Sequence, residues 1–175
     1  RFLPKLEALP ENVLPIMAYS LSKTYTLYGT RCGAMICIAK TKEIADEFKR
    51  VCEYSSRGSW SNSAKVAQVI LSRIYGEPGL LERVDKERAH YREMLIKRGR
   101  AFEEEAKKVG LKIVPFDAGF FISIPCSDPD AISAKLEKEG VFIVPLAKGL
   151  RVSVASISEE KCRKLPAVIK AAMEE

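Results

Sequence analysis

A serine, a lysine and an arginine stand close together in the stretch Ala18-Tyr19-Ser20-Leu21-Ser22-Lys23-Thr24-Tyr25-Thr26-Leu27-Tyr28-Gly29-Thr30-Arg31-Cys32-Gly33. A lysine amine attacks an aldehyde only when deprotonated, and a neighbouring cation in a pocket lowers its pKa toward that state. Lys23 is so placed, with Arg31 as the cation. The planar fork of Arg31 also suits bidentate contact with a phosphate dianion, to which Ser20 can donate a further hydrogen bond. An amine for an aldehyde beside donors for a phosphate describes a site for pyridoxal phosphate.

The run Ser20-x-x-Lys23 followed by Gly29-x-Arg31-x-Gly33 resembles, without a gap, the Schiff-base signature of class I/II aminotransferases. These are the aspartate and aromatic aminotransferase-like enzymes of pyridoxal phosphate fold type I. The resemblance implies that Lys23 holds the cofactor aldehyde as a Schiff base while Ser20 and Arg31 bind its phosphate. Near the other end, Arg151-Val152-Ser153-Val154-Ala155 is similar to the family segment R-[IV]-[NS]-x-A, whose arginine clamps the substrate α-carboxylate. An amino acid substrate calls for such a fork. Arg57-Gly58-Ser59-Trp60-Ser61-Asn62 resembles R-x-x-[YW]-S-N, which reaches across a dimer interface. By that resemblance Arg57 pairs with the distal carboxylate of a dicarboxylic substrate and Trp60 forms an aromatic wall. Phe121 in Gly119-Phe120-Phe121 matches an apolar position facing the substrate, although Trp60 and Phe121 can equally be core residues, as most aromatics are.

Around these residues the chain reads as alternating strands and helices. Apolar runs predict buried strands over 13–18 and 34–39, which puts the lysine stretch at a strand's C-terminal end, where open α/β sheets place their ligands. A short helical turn is expected over 2–9. Thr41 is the expected cap of a helix to about Tyr54 that buries Ile44, Ala45, Phe48, Val51 and Cys52, with the serine-rich 55–59 interrupting it. A further helix over about 62–75 is expected to bury Val66, Val69, Ile70 and Ile74. The longest element, 78–109, repeats apolar residues at three and four and would be roughly 45 Å long. Gly110 stops it. Short strands follow over 111–115 and 119–125, a helix over about 129–139, strands over 141–145 and 150–155, and a last helix over 159–173 in which Pro166 makes a kink or a fresh start.

This order predicts an α/β fold, a small sheet covered on one face by helices. The resemblance implies the C-terminal part of fold type I. Residues 1–77 would be the end of the large cofactor-binding domain, and 78–175 the small C-terminal domain entered through the long helix. The chain of 175 residues opens without methionine, and a resembled enzyme would be more than twice as long, so a C-terminal fragment is expected. The family's aspartate at the pyridine nitrogen, its ring-stacking aromatic and its glycine-rich phosphate loop would then lie upstream. On that expectation these residues alone bind the cofactor weakly and do not transaminate.

Composition narrows the alternatives. The net charge of +6 is spread among interleaved acidic and basic residues, so no nucleic-acid partner is expected. The apolar runs are far shorter than the ~20 residues of a membrane span. Cys32, Cys37, Cys52, Cys126 and Cys162 are odd in number and scattered, which points to free thiols and a cytoplasmic location. With His90 the only histidine, neither a zinc site nor a Ser-His-Asp triad is expected. The expected partners are an amino acid and a 2-oxo acid such as 2-oxoglutarate, and a second copy in a homodimer. The side chain transferred would be aromatic or dicarboxylic. A β-lyase or decarboxylase of the same fold, or the aminotransferase-like effector domain of a transcription regulator, stands as the alternative.

Overall fold

The computed structural model describes residues 3–174, so Phe2, the first residue of the expected N-terminal turn, lies outside the described residues. The rest of that turn is helix α1, Leu3–Glu7. Backbone contacts divide the chain into two units, Arg1–Val84 and Asp85–Glu175.

The first unit is built on a hairpin. Strands β1 (Ile16–Ser20) and β2 (Gly33–Cys37) pair antiparallel in the register Ile16↔Cys37 to Ser20↔Gly33. Between them run the single turn α2 (Leu21–Thr24) and a 3-10 turn, Tyr28–Thr30. The strands begin later or end earlier than the apolar runs, and they are not buried: Ile16 is 50% and Met35 58% exposed. Among the described residues this ribbon has no third strand beside it, so apolarity alone does not bury it.

Helix α3 (Lys42–Ser59) starts at Thr41, whose hydroxyl accepts the Ile44 N–H at 3.4 Å. Contrary to expectation it runs straight through 55–59. Serine and a single glycine weaken a helix by only about 1 kcal/mol at most per residue, and no proline is present to break it. It ends where Ser61 takes a left-handed φ of 69°, the Trp60 and Ser61 N–H groups both returning to the Ser56 carbonyl. Ile44 and Val51, expected in the core, are exposed, as are Val66 and Val69 of α4 (Lys65–Gly76). Ile74 is buried as expected, and Ala67, which was not expected, is fully buried with Leu71 packed beside it. Ala67 closes on Leu21 and Cys32, so the turn carrying Lys23 is anchored by one buried residue on either side of it.

Helix α5 (Leu80–Lys108) carries the chain through Val84 and Asp85, where the units divide. Gly110, at φ 68°, ends it. In the second unit β3 (Phe121–Pro125), β4 (Val144–Leu146) and β5 (Gly149–Ser153) form an antiparallel sheet of order β3-β5-β4. The expected strand over 111–115 is absent among the described residues. Only Val114 donates to β3, to the Ser123 carbonyl at 2.8 Å, and Pro115 has no N–H to continue a ladder. That segment is held to α5 instead. The Phe116 ring lies on Gly99, where any Cβ would collide with it, and Arg100 donates to the Phe116 carbonyl at 3.0 Å. Arg100 also bonds Glu103 at 2.7 Å, holding that carboxyl below the usual glutamate range.

One face of this sheet supplies the core. Ile122 and Ile124 of β3 and Leu150 and Val152 of β5 are buried against Phe102 and Ala106 of α5, Leu136 of α6 (Pro129–Lys138) and Cys162 and Ile169 of α7 (Glu159–Glu174). Asp128 caps α6, accepting the Ala131 N–H at 3.0 Å. Pro166 sits fully buried inside an uninterrupted α7, so it neither ends nor restarts the helix. Burial pushes the Cys162 thiol up from its ordinary value. The other face of the sheet, set by the two-residue period of the strands, presents Phe121, Ser123, Arg151 and Ser153 away from that core.

Candidate active site

Ser20 is the last residue of β1 and the cap of α2, its hydroxyl oxygen accepting the Ser22 N–H at 3.2 Å. That bond uses a lone pair and leaves the hydroxyl hydrogen to donate elsewhere. Lys23 stands one turn further on, exposed, with its Nζ 4.9 Å from the centroid of the Tyr28 ring. Arg31 lies against the same ring, its Cζ 5.0 Å from the centroid. It occupies a left-handed conformation, φ 49°, and donates from Nη1 to the Tyr28 carbonyl at 3.1 Å. The pairing of Ser20 with Gly33 closes the hairpin, and the bond from the Leu21 N–H to the Cys32 carbonyl, 3.2 Å, extends it into the loop.

The three residues singled out in the sequence are thus gathered at one end of the β1–β2 hairpin. An amine, a guanidinium and a hydroxyl hydrogen make a donor set that fits an aldehyde bearing a phosphate dianion. Tyr28 was not among the expected residues. Its signal was an aromatic residue in a tight turn, between two cations in the sequence, and a ring face attracts cations. A further unexpected contact ties the loop to α4, where the Tyr25 and Tyr75 hydroxyls are 2.5 Å apart.

Arg57 and Trp60 close α3. Arg57 donates from Nη1 to Ser61 Oγ at 2.7 Å, a contact within its own helix end, and Trp60 is 81% exposed, so it is not a core residue of its unit.

In the second unit Arg151 sits at the middle of the central strand β5, opposite Ser123 of β3 and Val144 of β4. Its Cζ lies 4.6 Å from the centroid of Phe121, which is exposed. Arg151 Nε is buried and makes no hydrogen bond among the described residues. A buried N–H without an acceptor costs free energy, and the Nε edge of a guanidinium is one of the edges that grip a carboxylate. The orphaned donor is what a site built for a carboxylate would present.

Among the described residues no helix is long and apolar enough to cross a membrane, and no cluster of three His, Cys, Asp or Glu is arranged to hold a metal ion. All five cysteines are unpaired, and His90 is exposed on α5 with Tyr91 edge-on to it.

Residues 3–169 match the family described as "Aminotransferase class I and II". The chain is 28% identical over 155 residues to an aromatic amino acid aminotransferase of Cutibacterium acnes, an alignment covering 88% of this chain and 40% of that protein. A solved aminotransferase from Anaerococcus prevotii superposes with a TM-score of 0.88 at 36% identity, over 95% of this chain and 41% of that one. An aromatic-amino-acid aminotransferase from Burkholderia pseudomallei, solved covalently bound to pyridoxal phosphate, shares the fold at TM-score 0.69 and 22% identity, over 93% and 41%. The chain therefore spans about 40% of the length of the relatives it matches.

Proposed function

This chain belongs to the class I and II aminotransferase family, whose enzymes depend on pyridoxal phosphate, and from that premise we propose that it carries the lysine and the anion-binding arginines of a transaminase. The amino donor in this reading is an aromatic or dicarboxylic L-amino acid and the acceptor a 2-oxo acid such as 2-oxoglutarate. The chief support is the gathering of Ser20, Lys23 and Arg31 at one end of the hairpin, the two cations on a common ring. Residues 1–77 serve as the end of the cofactor-binding domain and 78–175 as the small domain, together a C-terminal part of fold type I.

When bound, pyridoxal phosphate supplies an aldehyde and a ring that accepts electrons from the substrate Cα. Lys23 Nζ would hold the aldehyde and, once free, would move a proton from the substrate Cα as base and return it as acid. Arg31 and Ser20 would grip the phosphate and so orient the group toward the amine. Arg151 would receive the α-carboxylate on its Nε edge.

Arg57 takes the distal carboxylate of a dicarboxylic substrate in the other subunit of a homodimer, and Trp60 walls that site. The exposure of Trp60 and the position of Arg57 at a helix end support this. Scattered, unpaired cysteines favour a cytoplasmic location. Borohydride reduction of the holoprotein followed by peptide mass spectrometry tests the central assignment. The expected result is cofactor mass on Lys23, and label on any other lysine overturns it.

A further inference from the structure

We propose that Phe121 is a positioning residue that acts through Arg151, its ring holding the guanidinium so that the Nε edge is presented to a carboxylate. The proposal rests on the reading of Arg151 as the carboxylate-binding group.

Three observations carry it. The first is contact: Arg151 Cζ lies 4.6 Å from the Phe121 centroid, within cation–π range. The second is register. Ser123 pairs with Arg151 and Phe121 with Ser153, so Phe121 and Arg151 are diagonal neighbours on the same face of adjacent strands, within reach of an aromatic side chain. Gly149 keeps that register tight, because a Cβ there would run into the Ile124 carbonyl oxygen. The third is the orphaned Nε. Most devices that orient a buried guanidinium use its N–H groups, and an acidic partner would consume the edge a substrate needs. An aromatic face attracts the cation through the plane and leaves the edges free. Phe121 thus steadies the fork without competing for its Nε edge, and its position between sheet and solvent, 39% exposed, keeps it outside the core.

The test is calorimetric binding of 3-phenylpropanoate and of its neutral amide to the intact holoprotein, in Phe121→Leu, Phe121→Tyr, Arg151→Gln and the Phe121→Leu/Arg151→Gln double variant. Phe121→Leu is expected to weaken carboxylate binding roughly fivefold to thirtyfold and leave the amide unchanged. Phe121→Tyr, which keeps the ring face, is expected to retain wild-type affinity. In the Arg151→Gln background the Phe121→Leu change is expected to have no further effect, the coupling that action through another residue requires. Equal weakening of carboxylate and amide, or an undiminished loss in the Arg151→Gln background, overturns the proposal and leaves Arg151's role standing. Unchanged carboxylate affinity in Arg151→Gln overturns the reading of Arg151 itself, and this proposal with it.

Discussion

Ser20 lies directly opposite Gly33 in the antiparallel ladder, and no side chain is tolerated at position 33, because a Cβ there would meet the Tyr19 carbonyl oxygen. The residue proposed to hold a phosphate and the glycine that lets the strands close are one cross-strand pair. The loop between them carries Lys23 and Arg31, so its geometry depends on that closure.

Gly33→Ala is therefore expected to splay the hairpin at its loop end. Forcing a methyl against backbone costs ~1–3 kcal/mol. The loss should appear in chemical denaturation of the first unit and as weaker cofactor binding by absorbance titration. An unchanged cofactor affinity would separate the ladder from the site.

Arg31, proposed to bind the phosphate, has a left-handed backbone, φ 49°, that a residue with a Cβ adopts at a cost. Arg31→Gly is expected to act in opposite directions. It should raise stability by up to ~1 kcal/mol, since glycine takes this conformation freely. It should weaken phosphate binding roughly tenfold or more, since a charged hydrogen-bond donor is lost. A thermal melt and a pyridoxal phosphate titration on the same sample check both signs.

Phe102 is fully buried where α5 meets the sheet of the second unit. Phe102→Ala is expected to destabilise that unit by ~3–5 kcal/mol, transfer and cavity terms together. The urea midpoint of the transition assigned to residues 85–175 measures it.

Cys162 is buried in α7 and its thiol is pushed up by that burial. A raised pKa keeps the neutral thiol as pH rises, and the neutral thiol does not alkylate. At mildly alkaline pH iodoacetamide should label Cys52, half-buried on α3, well before Cys162, and Cys162 should react only as the second unit unfolds. Mass spectrometry of timed digests reads the order, and early labelling of Cys162 would contradict the packing of α7.

What the sequence determined by itself was local or contiguous. The motif from Ser20 to Gly33 is a single uninterrupted run. The cap at Thr41, the stop at Gly110 and the helical period of α5 each depend on neighbours within one or two turns. These features need no distant partner, so the order of residues is enough to reveal them. What only tertiary structure decided involved residues that the chain brings together from afar, or layers that are absent. The approach of both Lys23 and Arg31 to the Tyr28 ring required the turn at Arg31 to be folded. The Phe121–Arg151 pair required a strand register, because a slip of one residue would put the two side chains on opposite faces of the sheet. The exposure of β1 and β2 ran against their apolar composition for the same kind of reason: burial belongs to whatever packs on a strand, and a strand's own letters do not supply it.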